Sequence, residues 1–164
     1  MEEAAYCMEQ ATDRCKMYCG EKNQMYSAMS EELARMYNAA GRREESLACH
    51  LAVRNQMLKN GYREGSMLLM VDNNMSVVYL DLGRPEEAIP YLTEALDLAK
   101  ENGLVGPAVA EPTWNLARVY RALGDEEKEA IYLKAAVEGF RECYPPEHPK
   151  RIAAEQRLKE RQGE

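Results

Sequence analysis

Few residues in this sequence have the types and spacing that metal binding or covalent catalysis requires. Cys15 and Cys19 lie one helical turn apart and could share a metal ion, but neither His50 nor His148 shows the spacing of a zinc ligand. Cys49 and His50 are adjacent, so on a helix their side chains point about 100° apart, which argues against a catalytic dyad. Cys15 and Cys19 are therefore a candidate metal site, but a zinc site would need further ligands.

The sequence also lacks a phosphate-binding loop. The segment GRPEEA (83–88) is without the Lys-Ser/Thr that holds nucleotide phosphates, and the many glutamates have the pattern of solvated helix faces. We expect no enzyme activity, no cofactor and no metal ion. The alternative is a regulatory module of an enzyme, or a protein that binds metal weakly through Cys15 and Cys19.

Composition limits the class of protein and its partners. The 164 residues suffice for one domain with a core, and a hydrophobic content of 46% excludes a disordered chain. No apolar run approaches the length of about 18 residues that spans a membrane, and we expect no signal peptide in the acidic start MEEAAYCMEQ. The net charge of −7 argues against nucleic acid or an anionic membrane as partner. The five cysteines are typical of reduced thiols in a cytoplasmic protein.

An internal repeat organises the chain. Three tyrosines are each followed by a glycine four residues later, in the pairs Tyr37–Gly41, Tyr79–Gly83 and Tyr120–Gly124. The tyrosines are 42 and 41 residues apart, and other columns share this period, such as Leu33, Met75 and Leu116. Each unit has the pattern of two helices, the first ending at the glycine and the second starting directly after it.

The chain is expected to be all-α, with about eight helices and no strand. The periodicity predicts helices at 2–19, 23–40, 43–60, 64–82, 85–102, 107–123, 126–143 and 147–162. We divide the single domain, 1–164, into units at 27–61, 69–103 and 110–144. Residues 1–20 match the second helix of a unit whose first helix is missing, and the polar segment 147–164 is expected to be a capping helix.

Because the helix at residues 2–19 lacks a partner helix, we expect it to take part in a further interaction. Ala4, Met8 and Ala11 should form an exposed apolar stripe that needs a partner helix. Self-association or a place in a larger complex through residues 1–20 is therefore one expectation.

These motifs resemble the tetratricopeptide repeat, a right-handed superhelix of antiparallel helix pairs. The small or apolar pair, tyrosine and glycine carry the resemblance over nearly the whole chain, and most clearly over 27–144. The period near 42 is similar to the longer repeats of kinesin light chains and LGN-type adaptors, as are the phrases NNMS (73–76) and YPPEHP (144–149). Ser46 and Glu129 depart from the family pattern, which has Ala at these positions. Glu129 is expected either to point outward or to loosen the packing of its repeat.

The resemblance implies a concave groove lined by the first helix of each pair. Asn74 and Asn115 occupy equivalent positions there, and members of the resembled family use such asparagines to bind a peptide backbone; an Asn amide can both donate and accept hydrogen bonds. The alternative is that these asparagines are solvated or bridge adjacent helices. The residues expected to contact a peptide are Arg35, Asn73, Asn74, Val77, Trp114, Asn115, Arg118 and Arg121.

Two of these residue types allow a second interpretation. The arginines could hold acidic side chains of a ligand, or form ordinary surface ion pairs with Glu32 or Glu111. Trp114 could stack on a ligand or pack between repeats. Among the asparagines, Asn73 has no counterpart, because Trp114 stands at the equivalent position.

The function predicted from the sequence is a protein–protein interaction scaffold or adaptor that binds a peptide segment of a partner. The alternative is a structural segment of a larger helical assembly, docked through its convex face or its incomplete N-terminal repeat.

Overall fold

The computed structural model describes residues 2–61 and 66–163, and these residues form eight helices and no strand. The helices are α1 (Glu2–Cys19), α2 (Gln24–Ala39), α3 (Arg43–Lys59), α4 (Ser66–Asp81), α5 (Pro85–Glu101), α6 (Pro107–Leu123), α7 (Glu126–Cys143) and α8 (Pro149–Gln162). The prediction of an all-α chain with eight helices is confirmed. The predicted start of the fourth helix at residue 64 lies outside the described residues. The division into repeat units stays a prediction.

The helix ends follow local sequence signals. Gly83 and Gly124 have φ values of 70° and 74°, a left-handed conformation that is strained for residues with a Cβ atom, and each ends the first helix of a pair. α5 then begins at Pro85, with Glu86 and Glu87 in its first turn near the positive end of the helix dipole. In α8 the side chain of His148 accepts from the backbone N–H of Lys150, which is why the helix begins two residues later than predicted.

Consecutive helices pack side by side, so that the chain forms a two-layered stack. α4 also contacts both α2 and α6, whereas α3, α5 and α7 are farther apart. The layer of α2, α4 and α6 is therefore the concave face. The main core lies between the layers around Met75, Leu92 and Leu116.

Equivalent positions near the start of α3, α5 and α7 show how closely the two helix layers pack against each other. Ala88 is fully buried, as expected for a small residue at a close approach. Ser46 is also buried, and its Oγ donates to the carbonyl oxygen of Ala34 at 2.7 Å. Glu129 points inward and is only 3% exposed. The prediction that Glu129 points outward is wrong, because Arg157 and Arg161 of α8 bind its carboxylate in the buried position.

The prediction for α1 is also partly wrong. Ala4 is exposed, but Met8 and Ala11 are half-buried, because Met8 packs with Leu33 and Tyr37. The buried face of α1 is displaced around the helix from the predicted stripe. It consists of Ala5, Thr12 and Cys15.

Among the residues that the structure describes, no helix combines the length and the apolar character needed to cross a membrane.

Candidate functional site

Six of the eight predicted peptide-binding residues line two separate clefts along the concave face, whereas Asn73 lines a third cleft, of about 220 Å³, between α4 and α6. The first cleft, about 250 Å³ in volume, lies between α2 and α4. It brings together three of the predicted residues, Arg35, Asn74 and Val77, with Asn38 beside them. His50 reaches the same cleft from α3 and is almost completely buried.

The second cleft, about 90 Å³ in volume, lies where α6, α7 and α8 meet. It brings together three other predicted residues, Trp114, Arg118 and Arg121. Two further charged residues line it, Glu129 of α7 and Arg157 of α8. The structure does not merge the two clefts, so the predicted site is divided along the groove.

Two of the predicted asparagines, Asn73 and Asn115, bind each other. Asn115 Nδ2 donates to Asn73 Oδ1 at 2.8 Å, and these two side chains are 5% and 8% exposed. Asn74 stays half-buried, and its Nδ2 lies 3.5 Å from Glu31 Oε2. Asn73 is therefore the partner of Asn115 between α4 and α6.

These contacts follow the repeat. Asn74 and Asn115 are equivalent, and each extends its amide toward the preceding repeat, where Glu31 and Asn73 are themselves equivalent. Glu31 in turn binds His50 Nδ1 at 2.9 Å in a buried pair. The groove helices are thus joined by a chain of polar side chains, which fixes their spacing. This is the alternative role in which asparagines bridge adjacent helices.

The three predicted arginines are in different electrostatic states. Arg35 is exposed and pairs with Glu32 at 2.7 Å, which is the ordinary surface ion pair. Arg118 is half-buried and donates to Asn115 Oδ1 at 3.1 Å, but within residues 2–61 and 66–163 it has no carboxylate within salt-bridge distance. Burial lowers the pKa of Arg118, with Asp81 opposing that shift. Arg121 is exposed and likewise unpaired over the same ranges.

Trp114 contributes both to packing and to the cleft. Its ring meets that of Phe140 edge to face, with centroids 6.4 Å apart, and the side chain remains half-buried beside Arg118 and Arg121. A half-buried indole that lines a cleft next to unpaired guanidinium groups can hold an apolar or aromatic side chain that neighbours an acid.

Arg157, which α8 supplies to the second cleft, is not among the residues predicted from the sequence. The sequence does contain a signal for it, because Arg157 and Arg161 lie one turn apart on a polar helix and Glu129 replaces a small residue. His50 is not among the predicted residues either. Because Glu31 and His50 are 19 residues apart, only the folding of α2 against α3 shows the pair.

Cys15 and Cys19 are the two residues of the candidate metal site. In the described part of the chain, no group of three His, Cys, Asp or Glu side chains could hold a metal ion. Burial raises the pKa of the Cys15 thiol, and neighbouring Cys19 raises it further. Both thiols are free, and Cys15 is a poor nucleophile at neutral pH.

Comparison with known proteins agrees with this architecture. Residues 67–142 match the family model of the tetratricopeptide repeat. Over these residues the chain consists of tetratricopeptide repeats. No curated protein sequence matches the chain significantly.

Solved tetratricopeptide-type structures extend the likeness to the whole chain. A Q17M variant of a putative kinesin light chain from Podospora anserina, with nearly identical TPR-like repeats, is 23% identical with a TM-score of 0.81. The match covers 99% of this chain and 78% of that one. BtubC (BKLC) from P. vanneervenii is 17% identical with a TM-score of 0.79, over 99% of this chain and 73% of that one. At these identities the likeness to the tetratricopeptide repeat structures is one of fold.

Proposed function

We propose that this tetratricopeptide repeat protein is a cytoplasmic adaptor that binds an extended, acidic peptide segment of a partner protein in its concave groove. The fold is that of protein-interaction scaffolds, which in general are not enzymes. Five free cysteines support a reducing compartment. The contacts of the groove support the finer parts of the proposal.

The observation that carries the acidic preference is the group of cations in the second cleft. Arg118 and Arg121 have no carboxylate partner in the described residues, although the whole chain has a net charge of −7. A half-buried guanidinium without a counter-charge favours an incoming carboxylate, because binding replaces the lost hydration with paired hydrogen bonds. We assign Arg118 and Arg121 to the acidic side chain of the ligand and Trp114 to its apolar neighbour.

The side-chain amides of the groove asparagines indicate where the backbone of a bound peptide would lie. Asn115 is bound to Asn73 and Arg118, so its remaining hydrogen-bonding capacity is small. Asn74 is half-buried, its single contact with Glu31 is long, and it lines the first cleft with Arg35 and Val77. We propose Asn74 as the main contact to the peptide backbone, while Asn73 and Asn115 hold α4 and α6 at the correct spacing.

A display library of short disordered segments, selected against the folded protein, tests this function. We expect the recovered peptides to be enriched in Asp and Glu. The variant Arg118→Gln/Arg121→Gln should lose them, and the variant Lys134→Gln, which removes an exposed cation from α7, should retain them. Selection of basic or uncharged peptides, or equal recovery by both variants, contradicts the acidic preference.

The second candidate function is assembly with another protein or a second copy through α1. A comparison of α1 with the equivalent helix α5 supports it. The residues of α5 equivalent to Ala4 and Cys7 are Ala88, which is fully buried, and Tyr91, which stacks on Tyr79 of α4. Ala4 and Cys7 of α1 are both exposed. An amphipathic helix from a second copy or from another protein would fit this face. Sedimentation velocity over a range of concentrations tests it, and a monomer throughout argues against self-association.

A further inference from the structure

The C-terminal helix α8 is attached to the stack differently from the other helices. It has only one fully buried side chain, Ala154, and Leu158 is partly buried against the apolar cluster that contains Leu133, Val137 and Phe140. The central helix α5, by comparison, buries five residues. Apolar packing therefore contributes much less to the docking of α8 than to that of α5.

Ionic contacts take the place of this missing apolar area. Glu129 of α7 accepts from Arg157 Nε at 2.8 Å through one oxygen and from Arg161 Nη1 at 2.6 Å through the other. Arg161 also donates to the backbone oxygen of Glu126 at 3.1 Å. Glu129 is 3% exposed, and both of its cations come from α8.

The other ionic contacts of α8 are nearer to solvent. Glu155 binds Arg141 of α7 at 2.8 Å, and Lys150 binds Glu111 of α6 at 2.6 Å. Because one partner in each pair is about half exposed, salt and water weaken both pairs. Within residues 2–61 and 66–163, Glu129 is therefore the one carboxylate that is both buried and paired with cations of α8.

We propose that α8 is a releasable cap, which undocks as a unit while α1–α7 remain folded, and that Glu129 is the latch. When α8 leaves, two arginines depart from Glu129, and the apolar cluster that contains Leu133, Val137 and Phe140 loses Ala154 and Leu158. Arg157 also leaves the cleft that contains Trp114 and Arg118. Docking of α8 therefore changes the shape of this cleft, whether or not a ligand is bound.

The direct test is hydrogen exchange of the full chain, followed by mass spectrometry of peptides from each helix. In Glu129→Gln, the amides of 149–162 should exchange at least about tenfold faster than in the wild type, while those of α4 and α5 keep their rates. Glu160→Gln is the matched control, because Glu160 also binds Arg157 but belongs to α8 itself. It should leave exchange in α8 within about twofold of wild type, as expected for a surface pair.

Hydrogen exchange of the wild-type protein at high salt tests the same proposal without any substitution. Raising NaCl to about 1 M should accelerate exchange in α8 and leave α4 and α5 unchanged, because salt screens the outer pairs of the cap. Emission from Trp114 should shift to longer wavelength in Glu129→Gln, since the cleft becomes more exposed. Unchanged exchange in α8 of Glu129→Gln overturns the latch. Equal acceleration in all helices, in the variant or in salt, shows that α8 is not a separate unit and overturns the proposal as well.

Discussion

Asp72 and Glu129 are two buried carboxylates in the same stack, and their pKa values shift in opposite directions. Asp72 is 0% exposed in α4, and burial raises its pKa to about 6, although Arg54 opposes the shift. Glu129 is 3% exposed in α7. Burial acts in the same direction there, but Arg157 and Arg161 outweigh it and hold the pKa of Glu129 below its usual range.

The difference lies in how many cations each carboxylate has. Asp72 Oδ1 accepts from Arg54 Nε at 2.6 Å, but Oδ2 has no partner in the described residues, and Arg54 also binds Glu94. Each oxygen of Glu129 has an arginine of its own. Burial alone therefore does not decide the charge of a carboxylate in this fold; a cation for each oxygen does.

The largest expected effect comes from removing the single cation of Asp72. Arg54→Gln should reduce the free energy of unfolding by about 3 kcal/mol at neutral pH, because it leaves Asp72 buried without a counter-charge. Urea denaturation measures this loss. The double variant Arg54→Gln/Asp72→Asn should recover at least half of this loss, because the effects of two substitutions on the free energy of unfolding are not additive when the residues form one pair. If both variants lose the same stability, Asp72 does not depend on Arg54.

The next effect is a pH dependence of opposite sign at the two carboxylates. Because the pKa of Asp72 in the folded state, about 6, is above its ordinary value of 3.8, the folded state binds this proton more tightly. The stability that the protonated form provides is present below about pH 4 and is lost as the pH rises through about 6, by on the order of 2–3 kcal/mol.

Urea denaturation of wild type and Asp72→Asn across this pH range isolates the contribution of Asp72. The free energy of unfolding of Asp72→Asn relative to wild type should increase as the pH rises. A difference that does not change with pH contradicts the raised pKa. Glu129 has the reverse sign: its stabilisation is present above its ordinary pKa and is lost as the pH falls through the lowered folded value.

The smallest effects concern the neutral pair between the groove helices. Asn115→Ala removes a buried 2.8 Å hydrogen bond and leaves Asn73 without it, so we expect a loss of about 1–2 kcal/mol. Asn74→Ala breaks only a 3.5 Å contact and should cost less than about 0.5 kcal/mol. Thermal denaturation compares them. A larger loss for Asn74→Ala would show that Asn74, rather than Asn115, bridges the repeats.

The sequence determines the helices well and the polar contacts poorly. Periodic apolar columns and the glycines at 41, 83 and 124 define the helix pairs, because helix termination depends on local conformation. The repeat alignment also places Arg118 and Trp114 on the concave face. The hydrogen bond between Asn73 and Asn115 depends on the relative positions of α4 and α6 along their axes. The inward position of Glu129 depends on arginines that are 28 and 32 residues away in the sequence. Such contacts across helices have no local signal.

A fluorescence titration of Trp114, the only tryptophan, tests the central claim that the unpaired arginines of the groove bind an acidic peptide segment. The probe is an acidic peptide recovered from the display selection. We predict that it changes the Trp114 emission of the wild type and of Lys134→Gln with equal affinity, that affinity falls as salt rises, and that Arg118→Gln/Arg121→Gln binds at least about tenfold more weakly. Equal affinity for the double variant, with unchanged melting, would contradict the claim.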